Sequence, residues 1–401
     1  MTEKAVPDRK KLLVLASTYP RHVGDHEPAF VHELCRRLLP WFEVVALVPS
    51  APGAQSREVM DGVEVVRYRY APRRLETLVN DGGIGTNLKL YKWKWLLVPG
   101  FLLGQLWSLR CMVKRQRPQL IHAHWLIPQG VVAALANLVW GIPFAVTSHG
   151  ADVYSFRGKA LLRLKRWVSR RAAGLSVVGS AMREELAKAG MPAERIWVRS
   201  MGVDLVGRFA PSREQRAAGR ILFVGRLVEK KGVRHLIQAM PAVLSLHPEA
   251  MLTVAGFGPE LEALQQQARI LGVAGKVQFL GAVPQQEVAG LLRQASMCVA
   301  PFVEAASGDQ EGLPLALLEA IGCCCPVVAG NVAGVRDVLG ERDGSTVVES
   351  RDALELAVAI RGKLENPVAA LAEARVLRDR VVAAYDWSGV AADYATWLRV
   401  L

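Results

Sequence analysis

The sequence predicts an α/β protein made of two doubly wound, Rossmann-like domains that face each other across a cleft. At 401 residues the chain is long for a single hydrophobic core. Short apolar runs alternate with helix-like segments, which is typical of parallel sheets covered by helices on both faces. The pattern restarts after residue 205, so we expect an N-terminal domain over 1–205 and a C-terminal domain over 206–385.

Nine apolar runs predict the buried strands of these two sheets. In the first half they are 12–17, 43–49, 120–125 and 144–150, and in the second half 220–226, 251–258, 277–283, 297–302 and 325–330. The apolar periodicity is lost over 201–211, where we place the domain junction. Because such folds bind ligands beyond the carboxyl ends of their strands, we expect the site in the cleft between the domains.

The cysteines and the N-terminus predict a cytoplasmic protein. Six cysteines, three of them consecutive at 323–325, show neither disulfide nor zinc spacing, which favours buried thiols in a reducing compartment. The N-terminal sequence MTEKAVPDRKK runs into the strand at 12–17 without a hydrophobic signal core. We therefore expect a protein that is not exported.

The net charge of +13 predicts an acidic partner, and the segment 89–117 indicates which one. This segment carries seven Lys or Arg, no acid, and the tryptophans Trp93, Trp95 and Trp107. Its apolar run is interrupted by Pro99, Gly100 and Gly104 and is shorter than the ~20 residues of a spanning helix, so we expect no membrane span. The composition favours an interfacial segment on an anionic membrane; a helix packed on the sheet is the alternative. We find no nucleic-acid-binding module and expect no nucleic acid partner.

Two glutamates lie eight residues apart in EGLPLALLEA, at Glu311 and Glu319. Proline favours the first position of a helix, so Pro314 predicts a helix start that leaves Glu311 in the loop and Glu319 in the second turn. The N–H groups of residues 312–315 would then point out of the helix and attract an anion. This arrangement suits a ligand with hydroxyl groups at both ends and a charged middle. Alternatively, Glu311 is favoured by the helix dipole alone and Glu319 is a solvated surface acid.

Two basic residues lie in the loop that follows the strand at 220–226. The sequence FVGRLVEKKG places Gly225, Arg226 and Lys231 before a helix that begins near Val233. A planar guanidinium and a lysine beside a helix start fit a diphosphate. The pattern of a P-loop is missing from the sequence, and no Asp or His cluster has metal-ligand spacing, so we expect a site without a metal.

Polar residues and a glycine also follow strands of the first half. Gly24 lies in the loop after the strand at 12–17, where backbone can approach a ligand closely. His149 and Asp152 of HGAD follow the strand at 144–150, and His124 lies in the strand at 120–125. We expect these residues at the ligand, with the alternative that His149 is a hydrogen-bonded loop residue.

Four motifs together carry a resemblance to a known family. GRLVEKKG, VAGFGP, EGLPLALLEA and HGAD are similar to motifs of the retaining glycosyltransferases of family four, a GT-B family with many members in bacterial polysaccharide and glycolipid synthesis. The resemblance extends over nearly the whole chain and is strongest over 219–340. It implies transfer of a sugar, with retention, from a nucleoside diphosphate donor linked to UDP or GDP. It also implies that neither a metal nor a separate cofactor is required.

The resemblance also assigns roles to individual positions. Arg226 and Lys231 match the diphosphate-binding pair, Glu319 the acid that holds the ribose, and Glu311 the acid near the donor sugar. His149 matches the catalytic histidine, and Gly24 the N-terminal glycine loop, although the family often has two glycines there. The donor-binding set is Gly225, Arg226, Lys231, Gly258, Glu311, Gly312, Leu313, Leu315 and Glu319, and the acceptor side is Gly24, His124 and Asp152. The segment 386–401 matches a C-terminal helix that packs back on the first domain.

The sequence therefore predicts a glycosyltransferase of cell-envelope polysaccharide synthesis that is peripheral on the inner face of the cell membrane. We expect its acceptor to be a saccharide or a lipid-linked saccharide. The alternatives are a nucleotide-sugar epimerase or a phosphorylase on the same fold, and a non-catalytic subunit that binds a sugar nucleotide.

Overall fold

The computed structural model describes residues 9–22, 24–25, 27–80, 83–154, 158–213 and 215–401. The chain divides into two compact units. The first contains the described residues up to Val178, Met182–Gly202 and Val390–Leu401, and the second contains Gly179–Ala181 and Val203–Gly389. The main junction lies at 202/203, and the C-terminal residues from Val390 belong to the first unit.

The first unit is built on an eight-stranded sheet. Its strands are β1 (Lys10–Leu15), β2 (Phe42–Pro49), β3 (Arg57–Met60), β4 (Val63–Tyr68), β5 (Leu120–His124), β6 (Phe144–Ser148), β7 (Gly174–Val177) and β8 (Ile196–Val198). The order is β3-β4-β2-β1-β5-β6-β7-β8, and only the β3–β4 pair is antiparallel. Its helices are α1 (Phe30–Leu38), α2 (Gly83–Leu90), α3 (Leu97–Gln116), α4 (Val131–Trp140), α5 (Ala151–Tyr154), α6 (Lys159–Arg171) and α7 (Ser180–Lys188), whose first two residues belong to the second unit.

The second unit is built on a six-stranded parallel sheet of order β11-β10-β9-β12-β13-β14. Its strands are β9 (Arg220–Val224), β10 (Met251–Ala255), β11 (Val277–Gly281), β12 (Met297–Ala300), β13 (Val327–Gly330) and β14 (Val347–Val348). Its helices are α8 (Val233–Leu244), α9 (Leu261–Ile270), α10 (Gln285–Gln294), α11 (Leu315–Gly322), α12 (Ala333–Leu339), α13 (Ala353–Glu365) and α14 (Pro367–Tyr385). The last helix, α15 (Trp387–Arg399), begins in this unit and belongs to the first unit from Val390.

Both faces of the second sheet are buried, which explains the continuous apolar runs of its strands. Along β9, Ile221 and Phe223 join one hydrophobic core and Leu222 joins the other. Successive side chains of a strand point to opposite faces, so a strand covered on both sides has no polar alternation.

The nine predicted runs all contain strands, and five further strands were missed. The missed strands are β3, β4, β7, β8 and β14, of which three are edge strands. Most are only two to four residues long, and β3 and β4 carry charged residues along their length. Short or partly polar strands lack the long apolar run on which the prediction relied.

The segment 89–117 differs from the prediction, because Pro99, Gly100 and Gly104 do not interrupt it. Helix α3 runs through all three. Pro99 is its third residue, where a backbone N–H would have no helical partner in any case. An added Cβ would lie 2.4 Å from the Tyr70 oxygen at Gly100 and 2.3 Å from the Arg69 oxygen at Gly104. The glycines therefore let the helix contact the backbone after β4.

By length and composition alone, the continuous helical stretch Lys92–Gln116, which includes α3, is the one stretch among the described residues that is long and apolar enough to cross a membrane. The helical stretch is therefore longer than the apolar run 95–109 on which the prediction of no membrane span relied. One face of α3 nevertheless packs on β2 and β4, so this helix forms part of the first unit.

Each sheet has one position where the strand order reverses. In the first unit it lies between β1 and β5, and in the second between β9 and β12. Loops that leave adjacent strands in opposite directions open a crevice at their carboxyl ends, and ligands of doubly wound folds bind there.

Candidate active site

In the second unit, the loop after β9 is fixed by close contact with the loop after β10. Gly225 donates its N–H to the Ala255 oxygen at 3.0 Å, and Leu227 donates to the Phe257 oxygen at 2.8 Å. At Gly258, a Cβ would lie 2.3 Å from the Leu227 oxygen. Glycine at 258 is therefore required by packing, and its predicted contact with the donor stays a prediction.

Arg226 and Lys231 follow this loop but have different surroundings. Arg226 is exposed, and its guanidinium forms no hydrogen bond or ion pair with the described residues. Lys231 lies in a short 3-10 turn, Glu229–Lys231, that ends at Gly232. Gly232 has φ +67°, and a Cβ there would be 1.8 Å from the Pro301 oxygen, so only glycine fits. The turn is thereby held against the loop that follows β12.

Lys231 pairs with Glu311, which the sequence analysis had assigned to a different part of the ligand. The Lys231 Nζ lies 2.6 Å from the Glu311 Oε2, and the two side chains are only 16% and 13% exposed. The same Nζ lies 4.7 Å from the centre of the Phe302 ring. β9 and β12 are the strands at the reversal point, so the predicted acid and cation meet where the fold predicts a ligand.

The loop before α11 presents backbone N–H groups, but not all those that the sequence predicted. The helix begins at Leu315, and Pro314 is its N-cap. The Leu315 N–H donates to the Leu313 oxygen at 3.0 Å and is therefore occupied. Within the described chain, the N–H groups of Gly312, Leu313 and Ala316 donate to no oxygen. The predicted donor contact of Leu315 stays a prediction, and the N–H of Ala316 is a further unused donor of this loop.

Glu319 lies in the second turn of α11 and is buried, at 8% exposure, which removes the alternative of a solvated surface acid. Its Oε1 accepts a hydrogen bond from Gln285 Nε2 at 3.2 Å. Burial raises the pKa of Glu319 to about 7, and the Gln285 hydrogen bond and the charges of Arg208 and Lys231 act in the opposite direction. A buried acid with one oxygen still open is suited to bind hydroxyl groups.

In the first unit, the half-buried His149 belongs to a stack with two fully buried imidazoles. The His149 Nε2 lies 2.8 Å from the His124 Nδ1, with the two rings stacked 5.1 Å apart. His122 lies 4.4 Å from His124, ring to ring. Burial lowers the pKa of His122 and of His149 to about 3 and that of His124 well below its usual value. The three rings are therefore neutral at physiological pH. Because only one of the two facing nitrogens donates, His124 and His149 carry their protons either both on Nδ1 or both on Nε2.

Asp152 and His124 have no exposed surface, and their predicted place on the acceptor side stays a prediction. Asp152 Oδ2 accepts from the Leu126 N–H at 2.6 Å, and its Oδ1 accepts from the Ser148 hydroxyl at 2.7 Å. Burial raises the pKa of Asp152. Asp152 therefore fixes the chain after β5, and His124 orients His149.

Gly24 lies in the loop after β1 with φ +82°, and an added Cβ would have no atom within 4 Å. Backbone conformation accounts for glycine here, and close packing does not. The Arg21 Nη2 and the Asp25 Oδ1 form an ion pair of 2.6 Å across this loop. The predicted role of Gly24 on the acceptor side stays a prediction, and its neighbours Val23 and His26 are outside the described residues.

The sequence analysis missed Gln285, Arg208, His122 and Phe302. Gln285 is the first residue of α10, which begins four residues after β11 ends. The rule that ligands lie beyond the carboxyl ends of strands would have selected this residue. Arg208 carries no such signal, because it lies in the junction without regular structure.

Comparison with known proteins gives the family. The family model for group 1 glycosyl transferases matches residues 210–379, and the model for the glycosyl transferase 4-like domain matches residues 28–202. Glycogen synthase of Mycobacterium tuberculosis is 28% identical over 95% of this chain and 92% of its own. The GDP-mannose-dependent alpha-(1-6)-phosphatidylinositol monomannoside mannosyltransferase of the same organism is 30% identical over 68% of this chain and 73% of its own.

Solved structures show the same fold. Sucrose-phosphate synthase of Thermosynechococcus elongatus matches with a TM-score of 0.76 and 19% identity, over 98% of this chain and 99% of its own. HepE of Anabaena, solved in complex with UDP and glucose, matches with a TM-score of 0.71 and 19% identity, over 98% of this chain and 100% of its own. Two parallel-sheet units, two family models that cover them and relatives along most of the length agree: the chain belongs to the GT-B glycosyltransferases of the family-four type.

Proposed function

We propose that this glycosyltransferase moves a sugar, with retention and without a metal, from a UDP- or GDP-linked donor to a saccharide or lipid-linked saccharide. The observation that carries the proposal is the grouping of Lys231 and Glu311 at the strand-order reversal of the second unit. Relatives support a nucleotide donor, since one is named as GDP-mannose-dependent and a structural neighbour was solved with UDP-glucose.

The residues account for the chemistry of the leaving group. Negative charge grows on the diphosphate as the glycosidic bond breaks, and preorganised positive groups stabilise it. Lys231 supplies a positive charge held in place by Glu311, and Arg226 supplies a second, exposed one. The N–H groups of Gly312 and Leu313 supply donors that the described residues leave unused. These groups supply positive charge of the kind that a metal ion provides in other sites, which is our reason for proposing a metal-independent reaction.

Glu311 is proposed to contact the donor sugar and to act neither as a nucleophile nor as a general base. Glycosidases that use two carboxylates place them on opposite sides of the sugar. Glu311 lies in the loop before α11 and Glu319 in the second turn of this helix, and Glu311 is paired with Lys231. Retention follows from the family resemblance; it is tested by the anomeric coupling constant of the product in proton NMR.

A direct test uses UDP-glucose, UDP-galactose, GDP-mannose and ADP-glucose in a thermal-shift panel, followed by turnover with oligosaccharide and polyprenyl-linked acceptors. A ligand at ~100 times its dissociation constant stabilises by ~2.7 kcal/mol. Release of nucleoside diphosphate only when an acceptor is present supports the transferase. Conversion of the donor without an acceptor indicates an epimerase, dependence on inorganic phosphate indicates a phosphorylase, and binding without turnover indicates a non-catalytic subunit.

We also propose that the enzyme works at the inner face of the cell membrane and attaches through α3. The solvent side of the segment exposes Trp93, Trp95, Leu96, Leu103 and Trp107 by 47% to 82%. From Leu96 onward these residues follow a helical spacing that continues into basic residues near the end of α3. Apolar side chains beside basic ones are typical of helices that lie in an anionic membrane surface.

Vesicle sedimentation tests this attachment. We expect binding to phosphatidylglycerol vesicles that weakens as salt rises, and loss of binding when Trp93, Trp95 and Trp107 are replaced by serine. The matched control replaces three exposed apolar residues of the second unit, Leu246, Ile270 and Val376, which are 56%, 75% and 72% exposed. Equal binding to neutral vesicles, or equal loss in the control, would contradict the assignment.

A further inference from the structure

A hydrogen-bonded bridge links Glu319 to a basic residue from another part of the second unit. Gln285 Nε2 donates to the Glu319 Oε1 at 3.2 Å, and Gln285 Oε1 accepts from Arg208 Nη1 at 3.2 Å. A carboxylate only accepts and a guanidinium only donates, so these partners fix the orientation of the amide. At each contact a donor therefore faces an acceptor: the guanidinium donates to the amide oxygen, and the amide nitrogen donates to the carboxylate.

Helix α10 holds two of the three residues of the bridge. Gln285 is the first residue of this helix. Arg293, one residue before its end, donates to the Arg208 oxygen at 2.6 Å and to the Ala210 oxygen at 2.9 Å. Arg208 and Gln285 are both exposed, but the loop that carries Arg208 is tied through its backbone to the helix that carries Gln285.

The second oxygen of Glu319 is open. Among the described residues no hydrogen bond reaches Oε2, and this atom is not sealed from solvent. A carboxylate with one oxygen occupied by the protein presents the other in a defined direction to a ligand.

We propose that Gln285 and Arg208 are positioning residues for Glu319, which keep its carboxylate ionised through Oε1 so that Oε2 receives the ribose hydroxyls of the donor. This inference rests on the proposed function, in which Glu319 binds the ribose. It adds two residues to the donor site and assigns them control over the pH range in which the donor binds.

The groups that face Glu319 make its charge sensitive to this bridge. The cationic neighbours are Arg208 and Lys231. From β12 and the end of α11, it is faced by the thiols of Cys298 and Cys323, whose pKa values burial raises well above the usual value and to about 12. These thiols are therefore neutral. Since burial raises the pKa of Glu319 to about 7, loss of one hydrogen bond to the charged form moves its titration to higher pH.

The first arm of the test needs no ligand. Carboxyl ¹³C NMR of protein labelled at glutamate follows the titration of Glu319, whose resonance is identified by its loss in Glu319→Gln. We expect Gln285→Ala and Arg208→Ala to raise the midpoint by ~0.5 pH unit or more. Gln285→Glu places a second acid beside Glu319 and should raise it further. The control is Gln286→Ala, an exposed neighbour on α10 that makes no side-chain hydrogen bond with the described residues.

The second arm measures binding of UDP-glucose and GDP-mannose, whose phosphates do not titrate near neutral pH. Affinity of the wild type should rise with pH up to about 7 and then level off, because the ionised acid binds the ribose. In Gln285→Ala the rise should move to higher pH, and the preference for the ribose form of the bound donor over its 2′-deoxy form should fall. Gln286→Ala should match the wild type.

The two arms separate failure of this inference from failure of the proposed function. The proposal is wrong if Glu319 titrates with the wild-type midpoint in both Gln285→Ala and Arg208→Ala. It is also wrong if Gln285→Ala keeps both the wild-type preference for the ribose donor and the wild-type pH dependence of donor affinity. If neither nucleotide sugar binds the wild type while the midpoints shift as expected, the positioning of Glu319 stands and its assignment to a ribose is wrong.

Discussion

Replacing Glu311 with glutamine is expected to separate nucleotide binding from sugar transfer. The Glu311 carboxylate neutralises the Lys231 ammonium across 2.6 Å in the absence of a donor. A diphosphate that binds Lys231 must therefore share or replace this partner. Removing the charge of Glu311 frees Lys231, so affinity for the free nucleoside diphosphate should stay equal or rise.

The expected size follows from the geometry of the pair. Both side chains are less than one-fifth exposed, so solvent screens this ion pair only in part, and we take ~1.5–3 kcal/mol for it, the range for contacts with charged groups. If half of this ion-pair energy must be given up when the diphosphate binds, Glu311→Gln binds the nucleoside diphosphate up to about tenfold more tightly than the wild type. Lys231→Ala loses the cation and leaves Glu311 facing the phosphates, which should weaken binding by ~2 kcal/mol or more. The double variant should recover part of that loss.

Calorimetry with UDP and GDP measures affinity, and nucleotide release in the presence of an acceptor measures turnover. Turnover of Glu311→Gln should fall by about 100-fold, since the donor sugar loses a contact that changes during transfer. Glu319→Ala should mainly weaken nucleotide binding, because ribose contacts are alike in the ground and transition states. The control is Glu304→Gln, an exposed acid in the same loop. Equal losses of affinity in Glu311→Gln and Lys231→Ala would refute the competition and make the pair a structural unit.

Three further predictions concern the framework of the site. Gly232→Ala puts a Cβ 1.8 Å from the Pro301 oxygen at a residue with φ +67°, so it should lower the free energy of unfolding by ~3 kcal/mol or more in urea titrations. The control is Gly290→Ala on α10, whose added Cβ has no atom within 4 Å and which should raise the free energy of unfolding by up to ~1 kcal/mol. In the unfolded chain His122 and His149 become protonated below about pH 6.5, but in the native protein only near pH 3. As the pH is lowered from 7 to 5, the free energy of unfolding should therefore decrease by ~2 kcal/mol for each histidine. The variant His149→Asn should lose the part of this decrease that His149 contributes. Asp152→Ala removes two hydrogen bonds and should lower the free energy of unfolding, followed by thermal denaturation, by ~3 kcal/mol. If the variant is as stable as the wild type but binds the acceptor more weakly, Asp152 contacts the acceptor instead.

The parts of the fold that the sequence predicted are those with a strong local signal. Central parallel strands such as β1 and β9 are buried on both faces, and each gives a continuous apolar run. Edge strands such as β8 and β14 have three and two residues, and their pairing is decided by the neighbouring strand rather than by their own sequence. A prediction from local pattern therefore recovers the centre of each sheet and loses its edges.

The site shows the same division between local and long-range information. Residue types and short spacings identified Lys231, Glu311 and Glu319, because each lies in a loop or helix start with a recognisable sequence. Their partners are set by the register of the sheet. Lys231 meets Glu311 because β9 and β12 are neighbours, and Gln285 meets Glu319 because α10 and α11 pack together. Neither contact could be predicted from the spacing of residues within one segment, because each joins two segments that are far apart in the sequence.

The segment 89–117 shows why composition left two interpretations open. We treated membrane contact and packing in the fold as alternatives, but a helix has two sides. On α3, Leu97, Phe101, Gln105, Leu109 and Met112 are buried, and the glycines between them contact the backbone after β4. The opposite side exposes Leu103 and Trp107 by 66% and 69%. Because both sides are apolar, the average composition resembles a spanning segment, although one side is already covered by the first unit. A helix held in this way is able to contribute its outer side to a membrane surface without leaving the fold, so attachment requires no unfolding of the first unit.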